Sequence, residues 1–311
     1  MDRLTQYEVF VRIADAGSIS KAAETLGMSI ATASRALVAL EARLDAILIR
    51  RNTRRLSLTA EGQTFLPRAR AILSDISDSE AEMNANALNP SGVVRVSASL
   101  SFILHHISPV LPDYMALYPN VRVHIEAANR YVDLIDNGID VAIRTREAEP
   151  DSNITIRRLA ETRRILVASP DYLARHGRPL HPTDLKRHPL LLYTYANRPN
   201  ELDFVRDSEK VVVTSAGLIE ANDGQILRAA AMSGLGIIVQ PSYIVHDDIV
   251  AGRFQPVLDD WDLPRLTINI AYPSRKHLSA KVRSFIDFMT KRFAEQDFER
   301  KWTTRYTSTD P

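Results

Sequence analysis

Apolar residues in the first sixty positions recur at three- and four-residue intervals in separate stretches, and each stretch predicts a short helix. Leu4, Tyr7, Val9, Phe10, Ile13 and Ala14 make the first. Ala22, Ala23 and Leu26 make the second, with Ser20 as its cap and Gly27 as its stop, glycine being the residue that tolerates a left-handed helix end. Ser29 caps a third, in which Ala33, Leu37, Leu40 and Leu44 form one buried stripe while Thr32, Ser34 and Arg35 face elsewhere. Past Ile49 the pattern becomes an alternation through Leu56 and Leu58, which predicts a hairpin. A long helix follows Thr59, with Phe65, Ala69, Ile72, Ile76 and Met83 at heptad-like spacing; such a seam asks for a partner helix, although Pro67 should kink it.

The stretch NALNPSGVV, residues 86 to 94, has the composition of a hinge and places a domain boundary near Pro90. From Val93 short apolar runs alternate with helical stretches: VVRVSAS, a helix through Leu111 and Leu117, VRVHIEA, a short helix with Leu134 and Ile135, then VAIR at 141 to 144. This order predicts a parallel α/β sheet. RRILVAS, PLLLYT, VVVTS, a helix from about Gln225 to Met232 and GIIVQP predict a second α/β lobe. LTINIAYPS and the helix AKVRSFIDFMTKRF then return the chain to the first lobe. The expected domains are 1–60, a linker helix and hinge at 61–89, and a two-lobed region at 90–293, with lobe I at about 90–162 and 266–293 and lobe II at about 163–265. Residues 294–311 show no periodicity and are expected to be a loosely held polar tail.

Composition adds little to that picture until it is read locally. The 311 residues are 45% hydrophobic and 25% charged, an ordinary globular balance with ample core. The absence of cysteine excludes disulfides, thiolate metal sites and a cysteine nucleophile, and suits a cytoplasmic home. No apolar run is long enough to span a bilayer, and the N-terminus is an amphipathic helix with charges throughout rather than an export signal. The net charge of +1 is unevenly spread: residues 50 to 55 hold Arg50, Arg51, Arg54 and Arg55 without an acid, whereas 71 to 90 hold Asp75, Asp78, Glu80 and Glu82 without a base. Local patches of this kind, not overall charge, attract nucleic acid.

Two short helices joined by a tight turn, with small polar groups at the start of the second, are what a protein presents to base edges in a major groove. A basic hairpin just downstream suits the phosphate backbone. The run AAETLGMSIATASRALVALEARL followed by RRNTRRLSLTAEG resembles the N-terminal winged helix-turn-helix of LysR-type transcriptional regulators, and the resemblance extends over about residues 4 to 293. It implies an all-α winged helix-turn-helix N-terminal domain joined to an α/β, two-lobed effector domain similar to periplasmic solute-binding proteins. It also implies double-stranded DNA and a small-molecule effector as partners, no cofactor, and a homodimer assembling further to a homotetramer. Carried over by position, the reading residues are Ser29, Ile30, Ala31, Thr32, Ser34 and Arg35, with Arg51 and Arg54 in the wing and Phe65, Ala69, Ile72 and Ile76 in a dimerising linker helix. Ile30 and Ala31 depart from the polar residues or proline usual there, Asp45 replaces a usual glycine, and Arg146 stands where glycine is common.

In α/β sheets ligands bind beyond the carboxyl ends of the strands. That rule nominates Ser99 and Ser101 at the start of a helix whose N–H groups suit an anion, Arg144, Thr145 and Arg146 after a strand, and Thr194, Asn222 and Asp223 in the second lobe. The two arginines and the helix start favour a carboxylate effector. His105 and His106 are adjacent, so on a helix they point about 100° apart and do not share a metal. MSGLGIIV is neither a nucleophile elbow nor a phosphate loop, and no catalytic constellation is visible. The alternatives are a regulator that answers no ligand, and an enzymatic or solute-binding domain fused to a DNA-binding module.

Overall fold

The computed structural model describes residues 1–52, 55–83, 90–130, 133–146, 154–274 and 278–306, with the backbone alone for 51, 52, 55, 75 and 77–83. Two compact units result, one built on Met1–Pro90 and the other holding most of the remaining chain, with two short stretches at 132–140 and 277–280 grouped with the first.

In the N-terminal unit, helices α1 (Arg3–Ala16), α2 (Ile19–Thr25) and α3 (Ile30–Leu44) precede a hairpin of β1 (Ile49–Asn52) and β2 (Arg55–Leu58), then α4 (Ala60–Met83). Ser18, not Ser20, caps α2: its backbone is extended and its hydroxyl accepts from the Lys21 N–H, whereas Ser20 already lies in the first turn. Gly27 has a φ of 62°, as the turn requires, and Ser29 caps α3 by accepting from the Thr32 N–H at 3.1 Å. Asp45 ends α3 in the left-handed region at φ 49°, so it supplies the same helix end that glycine would, against a steric preference. The Glu41 carboxylate accepts from Leu48 N–H (2.8 Å) and Ile49 N–H (3.1 Å), tying the hairpin's start to α3. Thr59 caps α4 through the Gly62 N–H, and a methyl at Gly62 would lie 2.1 Å from the Leu48 carbonyl oxygen.

Val9, Phe10, Ile13, Ala33, Leu37, Leu40 and Ala69 form the core of this unit. Each large apolar side chain there contributes about 1.5–3 kcal/mol of burial. Pro67 lies inside α4, which runs on past it, so it does not mark the end of an early turn; Leu66, Ala69 and Leu73 on both sides of it pack on the core. The heptad seam is partly spent within the chain: Ala69 is fully buried, and the Phe65 ring lies 5.4 Å from Tyr7 and 5.6 Å from Phe10. Ile72 remains 38% exposed.

The second unit contains two five-stranded sheets. The first runs β4 (Val121–Ala127), β3 (Gly92–Ala98), β5 (Val141–Arg146), β14 (Leu266–Pro273), β6 (Ile154–Thr162). The second runs β11 (Ile219–Ala221), β8 (Leu190–Tyr193), β12 (Ile237–Pro241), β7 (Arg164–Ala168), β13 (Gln255–Val257). The expected all-parallel sheets are instead mixed. β4, β3 and β5 are parallel, as are β11, β8 and β12, but β14 and β6 in one sheet, and β7 and β13 in the other, run antiparallel to their neighbours. The cause is topological: the chain passes between the sheets at Arg163 and again between β13 and β14, and strands joined by such crossings need no βα connection.

The VVVTS strand was expected in the second sheet, but it forms β10 (Glu209–Thr214), which pairs with β9 (Glu201–Arg206) in a separate hairpin. The stretch with Leu134 and Ile135 is a hydrogen-bonded turn rather than a helix, closing at Asn137-Gly138 with Gly138 at φ 62°. The first helical stretch is irregular: α5 (Leu100–Phe102), a π-helical turn Ile103–Ile107, a 3-10 turn Ser108–Val110, then α6 (Leu111–Leu117). Pro109 and Pro112 remove two N–H donors there, so the regular ladder breaks. The remaining helices are α7 (Pro170–His176), α8 (Gly224–Met232), α9 (Ser242–Val250), α10 (Ala280–Glu295) and α11 (Phe298–Thr303). The last corrects the expected loose tail. Trp302 is 2% exposed, and burial of so large a ring offsets the cost of ordering a segment with no apolar period. Of the expected hinge, residues 86–94, residues 86–89 lie outside the described residues, while Gly92, Val93 and Val94 already belong to β3.

Candidate nucleic-acid interface and inter-lobe cleft

The start of α3 forms an exposed face. Ser29, Ile30, Ala31 and Arg35 are exposed, Thr32 and Ser34 half-buried, while Ala33, Ala36, Leu37 and Leu40 hold the helix to its core. Ile30 is 54% exposed, unusual for so large an apolar side chain at a helix start. Thr32 and Ser29 hydroxyls lie 2.8 Å apart, and the Arg35 Nε donates to the Ala31 carbonyl, which aims the guanidinium back toward the helix start. Arg50 is exposed on β1, where its Cα partner is Ser57. The backbones of Arg51 and Arg55 belong to the hairpin, but their side chains, and Arg54 entirely, lie outside the described residues.

In the second unit the carboxyl ends of β3 and β5 face those of β8, β11 and β12 through direct contacts. The Asn129 Nδ2 of the first lobe donates to Asp223 Oδ2 (2.7 Å) and to the Asn222 carbonyl (3.0 Å) of the second. The other Asp223 oxygen caps α8 by accepting from the Gln225 N–H (2.7 Å). Asp223 is therefore committed to capping and bridging. Beside it the Arg130 guanidinium lies 4.7 Å over the Tyr195 ring, whose hydroxyl accepts from Asn222 Nδ2 (3.2 Å). Further in, a methyl on Gly224 would lie 3.1 Å from Gln240 Oε1 and 3.2 Å from Ser101 Oγ, so these groups from both lobes crowd one point. Burial raises the pKa of Tyr243, and the neighbouring Thr145 and Ser99 oppose that rise. Thr194 is half-buried at the end of β8, its N–H donating to the Ala221 carbonyl.

Two expectations about charge change. Side chains alternate along β5, so Arg144 and Arg146 leave the sheet on the face opposite Thr145. The helix start behind Ser99 is also less open to an anion than expected: the Leu100 N–H goes to Asn129 Oδ1 (3.3 Å) and the Phe102 N–H to Ser99 Oγ (3.2 Å). Sequence reasoning missed Asn129, Gln240 and Tyr243. Asn129 follows β4 and obeys the strand-end rule. Gln240 was legible as the polar residue in the apolar run GIIVQP; it is 2% exposed and its Nε2 has no hydrogen-bond partner among the described residues. Nothing local marks Tyr243.

His105 and His106 serve the meeting of the lobes. Gln225 Nε2 lies 3.2 Å from His105 Nε2, and His106 Nε2 lies 3.2 Å from the Tyr243 carbonyl oxygen. Burial lowers the pKa of both, that of His106 to about 4, so both are neutral near pH 7 and His106 donates to that carbonyl.

Known proteins agree with this anatomy. Residues 4–63 match the family model described as bacterial regulatory helix-turn-helix protein, lysR family, and residues 88–294 match the LysR substrate binding domain. The chain is 34% identical over 286 residues to the HTH-type transcriptional regulator CrgA of Neisseria meningitidis, covering 91% of this chain and 94% of CrgA. The solved CrgA structure, described as a LysR-type transcriptional regulator, superposes with a TM-score of 0.62 at 32% identity over 93% of this chain and 98% of CrgA. The full-length Vibrio cholerae virulence activator AphB gives 0.61 at 28% identity, covering 93% of this chain and 99% of AphB. With both family models matched and relatives of this kind along nearly its whole length, the chain belongs to the LysR family of transcriptional regulators, with a DNA-binding and an effector-binding domain.

Proposed function

We propose that this regulator binds promoter DNA as a homodimer, capable of pairing into a tetramer, and answers a small organic effector held between its two lobes. The exposed face from Ser29 to Arg35 carries the DNA reading: Thr32, Ser34 and Arg35 contact base edges, Ile30 and Ala31 offer apolar contact such as to a thymine methyl, and Arg50, Arg51, Arg54 and Arg55 hold phosphates. The division proposed is residues 1–60 for DNA, 61–89 for the linker and 90–293 for the effector. Its place of work is the cytoplasm, where promoters are; no helix among the described residues is long and apolar enough to cross a membrane. We assign it no catalytic role.

The effector site proposed comprises Ser99, Ser101, Thr145, Thr194, Asn222, Gln240 and Tyr243. A buried donor without a partner costs about 1–3 kcal/mol, so the Gln240 amide favours a ligand that brings an acceptor, and a carboxylate is the strongest one. Arg144 and Arg146, on the other face of β5 from Thr145, and Asp223, which caps α8, are the remaining residues of the proposed site, the two arginines adding positive potential.

The DNA assignment is tested by selecting bound duplexes from a random pool and measuring affinity against salt. Arg50→Ala should weaken binding to all sequences and lower the slope of log K against log salt by about 0.9, the loss of one phosphate contact. Thr32→Ala should instead change which base is preferred at one position in each half-site, at about 1–3 kcal/mol for that base. Uniform losses from both substitutions would refute this separation of roles.

A further inference from the structure

The C-terminal segment Phe298–Tyr306 grips the two places where the chain passes between the lobes. At the first passage, Arg163 is fixed on every side. Its N–H donates to the Trp302 carbonyl (3.1 Å), its carbonyl accepts from the Ser242 N–H at the start of α9 (2.8 Å), and its buried guanidinium donates to Asp259 Oδ1 (2.9 Å), the Asp259 carbonyl (3.0 Å) and Asp262 Oδ1 (3.1 Å). Asp259 and Asp262 belong to the second passage, between β13 and β14. The same C-terminal segment holds them too: the Tyr306 N–H donates to Asp259 Oδ2 (2.6 Å) and Arg305 pairs with Asp262 Oδ2 (2.8 Å).

The segment also touches both lobes. Glu299 accepts from Arg158 (2.8 Å) and from the Glu161 N–H (3.1 Å) on β6 of the first lobe. The Tyr306 hydroxyl lies 2.6 Å from His246 Nδ1 and 3.4 Å from Ser242 Oγ on α9 of the second. Trp302 stacks on Phe298 with centroids 4.7 Å apart, and its ring lies 4.9 Å from His106 and 5.9 Å from Tyr243. Tyr243 meets the first lobe itself, its carbonyl 3.2 Å from His106 Nε2 and its ring 5.6 Å from Phe102.

We infer that Phe298–Tyr306 is a hinge clamp that sets the angle between the lobes and seats Tyr243. Lobe closure is absorbed by φ/ψ changes at a few crossing residues. Here one of those residues has its N–H, carbonyl and side chain all bonded, and the partners of its side chain are themselves held by the clamp. A rotation of one lobe against the other must stretch the Arg163, Asp259 and Asp262 bonds together or release the clamp from them. Trp302 and Tyr306 are accordingly positioning residues: they contact no effector, but reach the cleft through Tyr243 and α9. This goes beyond the effector reading and stands without it, since it concerns the lobes of the ligand-free protein.

The sequence has no cysteine, so two introduced ones can be spin-labelled without background. Lys186→Cys and Lys291→Cys place labels on exposed sites of opposite lobes in the full-length chain. Pulsed electron–electron distance measurements would compare this parent with a chain ending at Asp297, and with a triple variant Glu299→Gln, Arg305→Ala, Tyr306→Phe that keeps Trp302. The clamp predicts that the inter-lobe distribution broadens about twofold or shifts by several ångströms in both. A truncated chain that unfolds cooperatively with an unchanged distribution would overturn it, as would a triple variant that loses thermal stability while its distribution stays that of the parent. Should the truncated chain fail to fold, the triple variant alone decides.

Discussion

His106 shows how much one residue carries at the lobe interface. Its ring lies within 6.3 Å of Phe102, Tyr243, Phe293, Phe298 and Trp302, and burial holds its pKa near 4, below the ordinary 6.5. As pH falls below 6.5 the unfolded chain takes up the proton and the folded chain does not. Stability from this group is therefore complete above 6.5, declines by up to about 1.4 kcal/mol per pH unit on the way down to about 4, and levels off below. Urea unfolding of wild type and His106→Leu at pH 7, 5.5 and 4.5 should show a shallower decline in the variant, common carboxylate effects cancelling in the difference; parallel declines would remove His106 as the cause. Asp45 offers an independent residue-level test. It sits at φ 49°, where glycine pays no steric cost, so Asp45→Gly should raise the unfolding free energy by about 0.5–1 kcal/mol, and a decrease would mean that the side chain earns its place. At this scale two of the three expected helix caps were legible, while the cap of α2 is Ser18 and not Ser20. Ser29 and Thr59 are short hydroxyl residues just ahead of apolar stripes, a local signal, whereas the face that Arg144 takes depends on pleat phase and on which strands flank β5.

Elements were legible where their period was long and their neighbours local. The stripe Ala33, Leu37, Leu40 is a stretch of helix with one side to bury, and it does bury. The seam on α4 was legible as a helix but not in its use, because an apolar spacing cannot say whether the partner is another chain or the helix's own domain. Ala69 and Phe65 went to the latter, which leaves Ile72 and the half-buried Ile76 as the residues proposed to meet a second chain. Ile72→Asp with Ile76→Asp should then yield monomers by sedimentation and weaken DNA binding by at least about tenfold, since a monomer engages one half-site. A double variant that remains dimeric with full DNA affinity would move the interface elsewhere. α11 was missed for the opposite reason: a helix of one and a half turns has no period to read, and Trp302 is its only buried residue.

Over the whole molecule, two sheets and the return of the chain through β14 and α10 were readable, since each strand is a compact apolar run between turn residues. Strand directions were not. β6 and β7 follow one another across Arg163 with no helix between, and only the three-dimensional path tells that such a pair lies in different sheets. The same path brings Ser101, Gly224 and Gln240 to one point, the place proposed for an effector. If a carboxylate ligand satisfies the Gln240 amide there, Gln240→Met removes that donor at similar size, while Gln240→Glu adds a negative charge in its place. Thermal-shift titration with a panel of mono- and dicarboxylates should identify binders of the wild type. For such a binder, Gln240→Met should cost about 1.5–3 kcal/mol, the worth of a hydrogen bond to a charged group, and Gln240→Glu should cost more. The coupling follows by linkage: a ligand that changes promoter affinity tenfold must itself bind about tenfold differently to the DNA-bound protein, a free energy of about 1.4 kcal/mol. Titrating the ligand with and without promoter duplex measures both sides of that cycle. Binders that tolerate both Gln240 substitutions would place the ligand away from this amide, and a panel in which only amines bind would reject the acceptor argument.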